Sequence, residues 1–217
     1  MKTAILLYEG MTCLDAMGPY EVLASLPGNE VWFVADRRGE IRPDTRALGL
    51  VADRAIADVD AADIPVVPGG DESKQLENRA LLDWIRRMHE KTQWTTSVCT
   101  GALILGAAGI LEGRLATTHW MRHDALRTYG ASPTLERVVV DGKIITAAGV
   151  SAGIDMALRL VQRLAGDEMS QAIQLAIEYD PQPPFDAGSP AKAPAPVVDA
   201  VRSFFESGAS RAAPGSA

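Results

Sequence analysis

At 217 residues, 47% of them apolar and 23% charged, the chain has the length and balance of one globular domain with a sizeable core. The formal charge of -7 argues against nucleic acid or an anionic membrane surface, which reward clustered Lys and Arg, and leaves a small molecule as the expected partner. Two cysteines, Cys13 and Cys99, cannot form a disulfide framework, so both are expected as free thiols in the reducing cytoplasm.

Residues 2–8 carry one positive charge and too short an apolar stretch for an export signal, and they predict a buried first strand. The run Thr12-Cys13-Leu14-Asp15-Ala16-Met17-Gly18 then leads into a helix expected over 19–26, with Pro19 in its first turn. Further strands are expected over 31–35, 64–68, 94–98 and 144–147. Helices are expected over 80–90, 101–108, 122–129, 154–164 and 168–178, with Gly109 and Gly130 just past two of the ends. Such alternation implies a mostly parallel sheet covered on both faces. Residues 46–53 and 136–147 show strand-like alternation, and Asp141-Gly142 is a hairpin signal.

After Tyr179 the composition shifts to Asp180-Pro181-Gln182-Pro183-Pro184 and further Pro, Ala and Ser, with one short helix expected over 197–205. The chain is therefore divided into a main domain over 1–190 and a C-terminal arm over 191–217, with disorder expected over 210–217. The apolar stretch over 102–111 is interrupted by Gly106 and Gly109 and falls far short of the roughly 20 residues of a membrane span.

Ser97-Val98-Cys99-Thr100-Gly101, between an expected strand and an expected helix, holds the most chemistry. A sharp strand-to-helix reversal needs small residues on either side of its crest, and Ser97 and Gly101 supply them. Cys99 then faces the first N–H groups of the following helix, a setting expected to lower its pKa and favour thiolate. The alternative is a small cysteine packed in the core.

A thiolate attacking carbon needs a group to move protons, and loops that follow parallel strands converge on one rim, so Asp15 is the candidate partner. Its apolar neighbours Leu14 and Met17 would raise its pKa. Asp15 as a helix cap and Glu21 as a competing acid are the alternatives.

These stretches resemble the ThiJ/PfpI superfamily, with its class I glutamine amidotransferase-like fold. The carriers are residues 14–19 with 21–23, Val67-Pro68-Gly69-Gly70, Thr96-Ser97-Val98-Cys99-Thr100-Gly101, Ala116-Thr117-Thr118-His119-Trp120, and Gly149-Val150-Ser151-Ala152-Gly153-Ile154-Asp155. Residues 174–190, rich in proline, point within it to the isocyanide hydratase branch. The resemblance implies an α/β, flavodoxin-like three-layer sandwich, a homodimer, and hydration of an isocyanide to an N-substituted formamide, with no metal or organic cofactor. It further implies that Cys99 attacks the isocyanide carbon to give a thioimidate, while Asp15 acts as general acid and base. Gly69, Gly70 and Thr100 would stabilise charge through backbone N–H groups, and Val150 and His119 would line the pocket.

Protease-like members carry His directly after the nucleophile, where this chain has Thr100, so a Cys-His dyad and peptide hydrolysis are not expected. His119 is more simply explained by a structural backbone partner, His89 by a solvated helix face, and the three histidines lack metal-ligand spacing. Gly69-Gly70 has no following Lys-Ser/Thr for phosphate. Two other functions remain open. One is a ligand-sensing or redox-sensing domain related to AraC-type regulators but without their DNA-binding part. The other is a glyoxalase- or deglycase-type cysteine enzyme.

Overall fold

In a computed structural model, which describes residues 1–207, the apolar runs become short strands because both of their faces are covered. The first half contains β1 (Lys2–Leu6), α1 (Cys13–Ala24), β2 (Glu30–Ala35), β3 (Gly39–Ile41), β4 (Leu50–Ala52), β5 (Arg54–Ala55), β6 (Ile64–Val67), α2 (Arg79–Lys91), β7 (Thr95–Val98) and α3 (Gly101–Ala107). The second contains β8 (Leu115–Ala116), α4 (His123–Arg127), β9 (Ser132–Pro133), β10 (Val138–Asp141), β11 (Ile144–Ala147), α5 (Ala152–Ala165), α6 (Asp167–Ala176) and α7 (Ala195–Glu206).

One sheet runs in the order β10-β11-β7-β6-β1-β2-β5 and is parallel except at β10, which turns back antiparallel on β11. Thr3 pairs with Ile64 on one side of β1 and with Val31 on the other. The chain builds from β1 outward to β2 and β5, then returns to place β6 on the opposite side of β1. That reversal opens a crevice between the loops after β1 and β6, the usual place for a site in an open parallel sheet. Helices cover both faces, as in a flavodoxin-like sandwich, with α1 packed on α5 and α2 beside α3. The amphipathic α2 buries Leu81, Leu82, Trp84, Ile85 and Met88, and Asn78 caps it by accepting from Leu81 N at 3.2 Å.

Several elements differ from the sequence-based expectation. The first helix begins at Cys13, so Pro19 lies inside it and Asp15 in its first turn. A proline there removes only the N–H that would reach the Asp15 carbonyl, and packing outweighs the loss. The Pro19 ring lies over Gly153 of α5, where a Cβ would come within 3.2 Å of it, and Gly18 fits against Ile154 in the same way. The alternation over 46–53 survives only as β4, paired with β3, and is preceded by a turn with Arg46 in the left-handed region (φ 57°).

The second half follows the expectations more closely. The hairpin at Asp141-Gly142 forms with Gly142 at φ 60°. A 3-10 turn, Trp120–Arg122, precedes a shorter α4 than expected, and β8 stops at Ala116. His89 is half-buried rather than solvated, with Nδ1 2.8 Å from Thr95 Oγ1. The expected arm helix appears as α7, in which no residue is buried. Residues 210–217, where disorder is expected, lie outside the described residues.

Candidate active site

Three loops meet at the crevice. The first runs into α1, whose first turn carries Asp15, fully buried, with its Oδ2 accepting from Gly69 N at 2.9 Å. The same two loops are tied again by Thr12 N donating to Gly69 O at 2.9 Å. Asp15 therefore does not cap a helix. Thr12 occupies the N-cap position, and the Asp15 carboxyl instead links the first turn of α1 to the loop after β6. Glu21 is exposed on α1 and takes no part.

The second loop is Gly69-Gly70, which must be side-chain free. A Cβ on Gly69 would overlap Thr100 N and Oγ1 and stand 3.0 Å from Asp15 Oδ2. One on Gly70, at φ 134°, would strike the backbone of residues 10–12. Thr100 Oγ1 accepts from Gly70 N at 3.0 Å and donates to Gly70 O at 3.2 Å. The N–H groups of Gly69 and Gly70 are thus engaged by Asp15 and Thr100, so these residues hold the loop in place.

The third loop carries Cys99 at the expected strand-to-helix elbow. Its φ of 55° is left-handed, a strained state for a side chain with a Cβ and typical of a nucleophile turn. The strain is held by its N–H, shared between Ala147 O and Ala148 O at 3.1 Å each, and by its carbonyl, which accepts from Thr118 Oγ1 at 2.8 Å. Gly101 is required because a Cβ there would drive into the Val67 carbonyl.

Cys99 is 5% exposed. Its sulfur lies under the influence of the buried Asp15 carboxyl and of the N–H groups of Thr100 and Val150. Val150 reaches it from a second strained position, φ 26°. The expected low pKa is corrected here: the thiol is pushed well above its usual range, first by burial and then by the Asp15 charge, against the pull of the two N–H groups.

His119 packs against Gly149, where a Cβ would approach its Cδ2 at 2.6 Å, and its Nδ1 accepts from Met121 N at 3.5 Å. Burial, then His123 and Arg122, lower its pKa and keep the ring neutral. Among the described residues, no group of three His, Cys, Asp or Glu side chains is placed to hold a metal. None of their helices is long and apolar enough to cross a membrane.

Two neighbours escaped the sequence reading. Tyr8, at the end of the first apolar run, donates to Pro68 O at 3.2 Å. Its phenol is pushed well up by burial and then by the charges of Glu72, Asp15 and Cys99. Glu72 is 4% exposed and pairs with Arg122 at 2.9 Å, joining the loop after β6 to the turn that holds His119 and Trp120. In the sequence Glu72 reads as one polar residue in a polar loop, and only its position two residues after Gly70 hinted at the site.

Residues 1–163 match the model of the DJ-1/PfpI family. The chain is 45% identical over 205 residues to an isonitrile hydratase of Pseudomonas putida, covering 93% of this chain and 89% of that protein. It is 30% identical over 150 residues to the HTH-type transcriptional regulator CdhR of Pseudomonas aeruginosa, covering 68% of this chain but 44% of the regulator. In three dimensions it superposes on a ThiJ/PfpI family protein from Pseudomonas syringae with TM-score 0.90 and 38% identity, over 94% of this chain and 86% of that one.

Proposed function

Because this chain belongs to the DJ-1/PfpI family, we propose that it hydrates isocyanides to N-substituted formamides, with Cys99 as nucleophile and Asp15 as proton carrier. The observation that carries the reading is the placing of the Cys99 thiol, on its strained elbow, beside the buried Asp15 carboxyl. The likeness to the Pseudomonas putida isonitrile hydratase over nearly the whole of both chains supports the substrate class.

The terminal isocyanide carbon both accepts a nucleophile and takes up a proton. The Cys99 proton passes to Asp15 and the sulfur attacks that carbon. Asp15 then delivers its proton to the same carbon, leaving a thioimidate, R–N=CH–S–Cys99. The Asp15 carboxylate next removes a proton from water as its oxygen adds to the thioimidate carbon. Collapse of the adduct expels sulfur, nitrogen gains a proton, and R–NH–CHO leaves, so one water is consumed and Cys99 and Asp15 are restored.

The N–H groups of Thr100 and Val150 stabilise the sulfur as its charge develops, and Gly69 N keeps the carboxyl aimed at it. We also propose a homodimer, supported by the exposure of Leu175 (78%) and Phe185 (77%), large apolar side chains that a second copy would cover.

The test is formamide production from a simple aryl or alkyl isocyanide. Cys99→Ala and Asp15→Ala are each expected to lose about a thousandfold or more in rate. An inactive wild type, or full activity in Cys99→Ala, overturns the reading.

A further inference from the structure

The C-terminal arm runs a long way to place one helix. Residues 180–188 are exposed throughout, and α7 then arrives with no buried residue. Its contacts with the rest of the chain include two at its far end. The Phe205 ring lies 6.2 Å from the His119 ring, tilted at 58°, and Arg202 stands 5.3 Å over the Trp120 ring. Phe204 closes edge-on against Phe205 at 5.4 Å, and His119 and Trp120 are themselves 5.7 Å apart. The helix thus rests on the segment that borders the thiol. His119 touches Gly149, whose neighbours Ala148 and Val150 bond Cys99 directly.

We infer that α7, together with Trp120, forms an aromatic wall over the mouth of the Cys99 site, and that Phe205 selects for aryl or other flat apolar N-substituents. The inference rests on the isocyanide reading and sharpens its substrate class. In the thioimidate R–N=CH–S–Cys99 the substituent is separated from the sulfur by one carbon and one nitrogen, so it lies beyond the groups that touch the sulfur itself. The discriminating surface therefore lies outside the sulfur's immediate neighbours, and the proposal assigns it to His119, Trp120 and Phe205, which follow Gly149 in the chain of contacts leading out from Cys99. Aromatic faces there attract another flat ring by offset or edge-on contact, and Arg202 over Trp120 holds the wall in place. The wall belongs to the same chain as the nucleophile and is carried on an element that the core does not need.

The test uses the full chain with Phe205→Ala, and Val197→Ala as a control near the opposite end of α7. We expect kcat/KM for phenyl isocyanide to fall about three- to tenfold in Phe205→Ala while that for methyl isocyanide changes less than about twofold, with both unchanged in the control. Equal changes for the two substrates, no change, or a gain for the aryl substrate overturns the inference. A second measurement does not depend on turnover. In a Cys13→Ser background, the ratio of Cys99 alkylation by N-phenylmaleimide to that by iodoacetamide should fall by a similar factor in Phe205→Ala. If wild type turns over neither isocyanide, the hydratase reading fails and the alkylation ratio still decides whether the wall exists.

Discussion

Beneath the thiol, backbone fixes nearly everything: Asp15 is locked to Gly69, Thr100 to Gly70, and Cys99 is held at a left-handed φ by two carbonyls and a threonine hydroxyl. Above it, α7 meets the rim through a few exposed rings and one arginine. The first region is over-determined, so it can store strain and hold a carboxyl against a sulfur. The second is marginal, so it can vary without endangering the fold. Chemistry is expected to sit in the first and selectivity in the second.

The sharpest way to break this contrast is Gly69→Ala. Its Cβ would meet Thr100 backbone, which cannot swing aside, so a loss of about 3 kcal/mol in denaturant unfolding is expected, together with most of the activity. A near-neutral result would mean that the floor is softer than it looks.

A smaller effect is expected in alkali. Burial holds the Cys99 thiol above its ordinary range, so the folded state keeps this proton after the unfolded state has released it. The stability linked to it is whole below a pH of about 8.5 and is lost as pH rises toward the folded value, by up to about 1.4 kcal/mol per pH unit. Unfolding of wild type and Cys99→Ser compared between about pH 8.5 and 10, below the ordinary phenol range, should show the steeper decline in wild type. Parallel curves would show that the thiol is not so held.

Glu72→Gln probes the seam between the two regions. Arg122 is half-exposed and regains water when its partner is lost, so a change of about 1 kcal/mol or less is expected. The telling measurement is kcat/KM, which should fall as the turn carrying His119 and Trp120 loosens. Least of all should follow from Lys192→Ala in the arm, where the exposed pair with Asp186 is expected to contribute less than about 0.5 kcal/mol to thermal unfolding. A larger shift would show that the arm is packed more firmly than its exposure indicates.

Much of the site was legible because its chemistry depends on local chain geometry. Ser97 and Gly101 around Cys99 announce an elbow, and Gly69-Gly70 after a strand announces a loop that admits no side chain. Glu72 and Tyr8 were not legible, since nothing in a polar loop or at a strand end shows that the charge of one will act on the buried phenol of the other. The start of the first helix was misplaced for a similar reason. Pro19 is a sound local start signal, but the gain from packing its ring on Gly153 exists only once α5 is in place.

The amino-acid sequence by itself determined the parallel sheet, the elbow at Cys99 and the candidacy of Asp15, because hydrophobic period and small-residue spacing act over a few residues. Only the tertiary structure decided which N–H groups face the sulfur, which way the pKa of Cys99 moves, and what stands at the mouth of the site. Those depend on burial and on charges brought together from loops far apart in the chain, and neither is encoded locally.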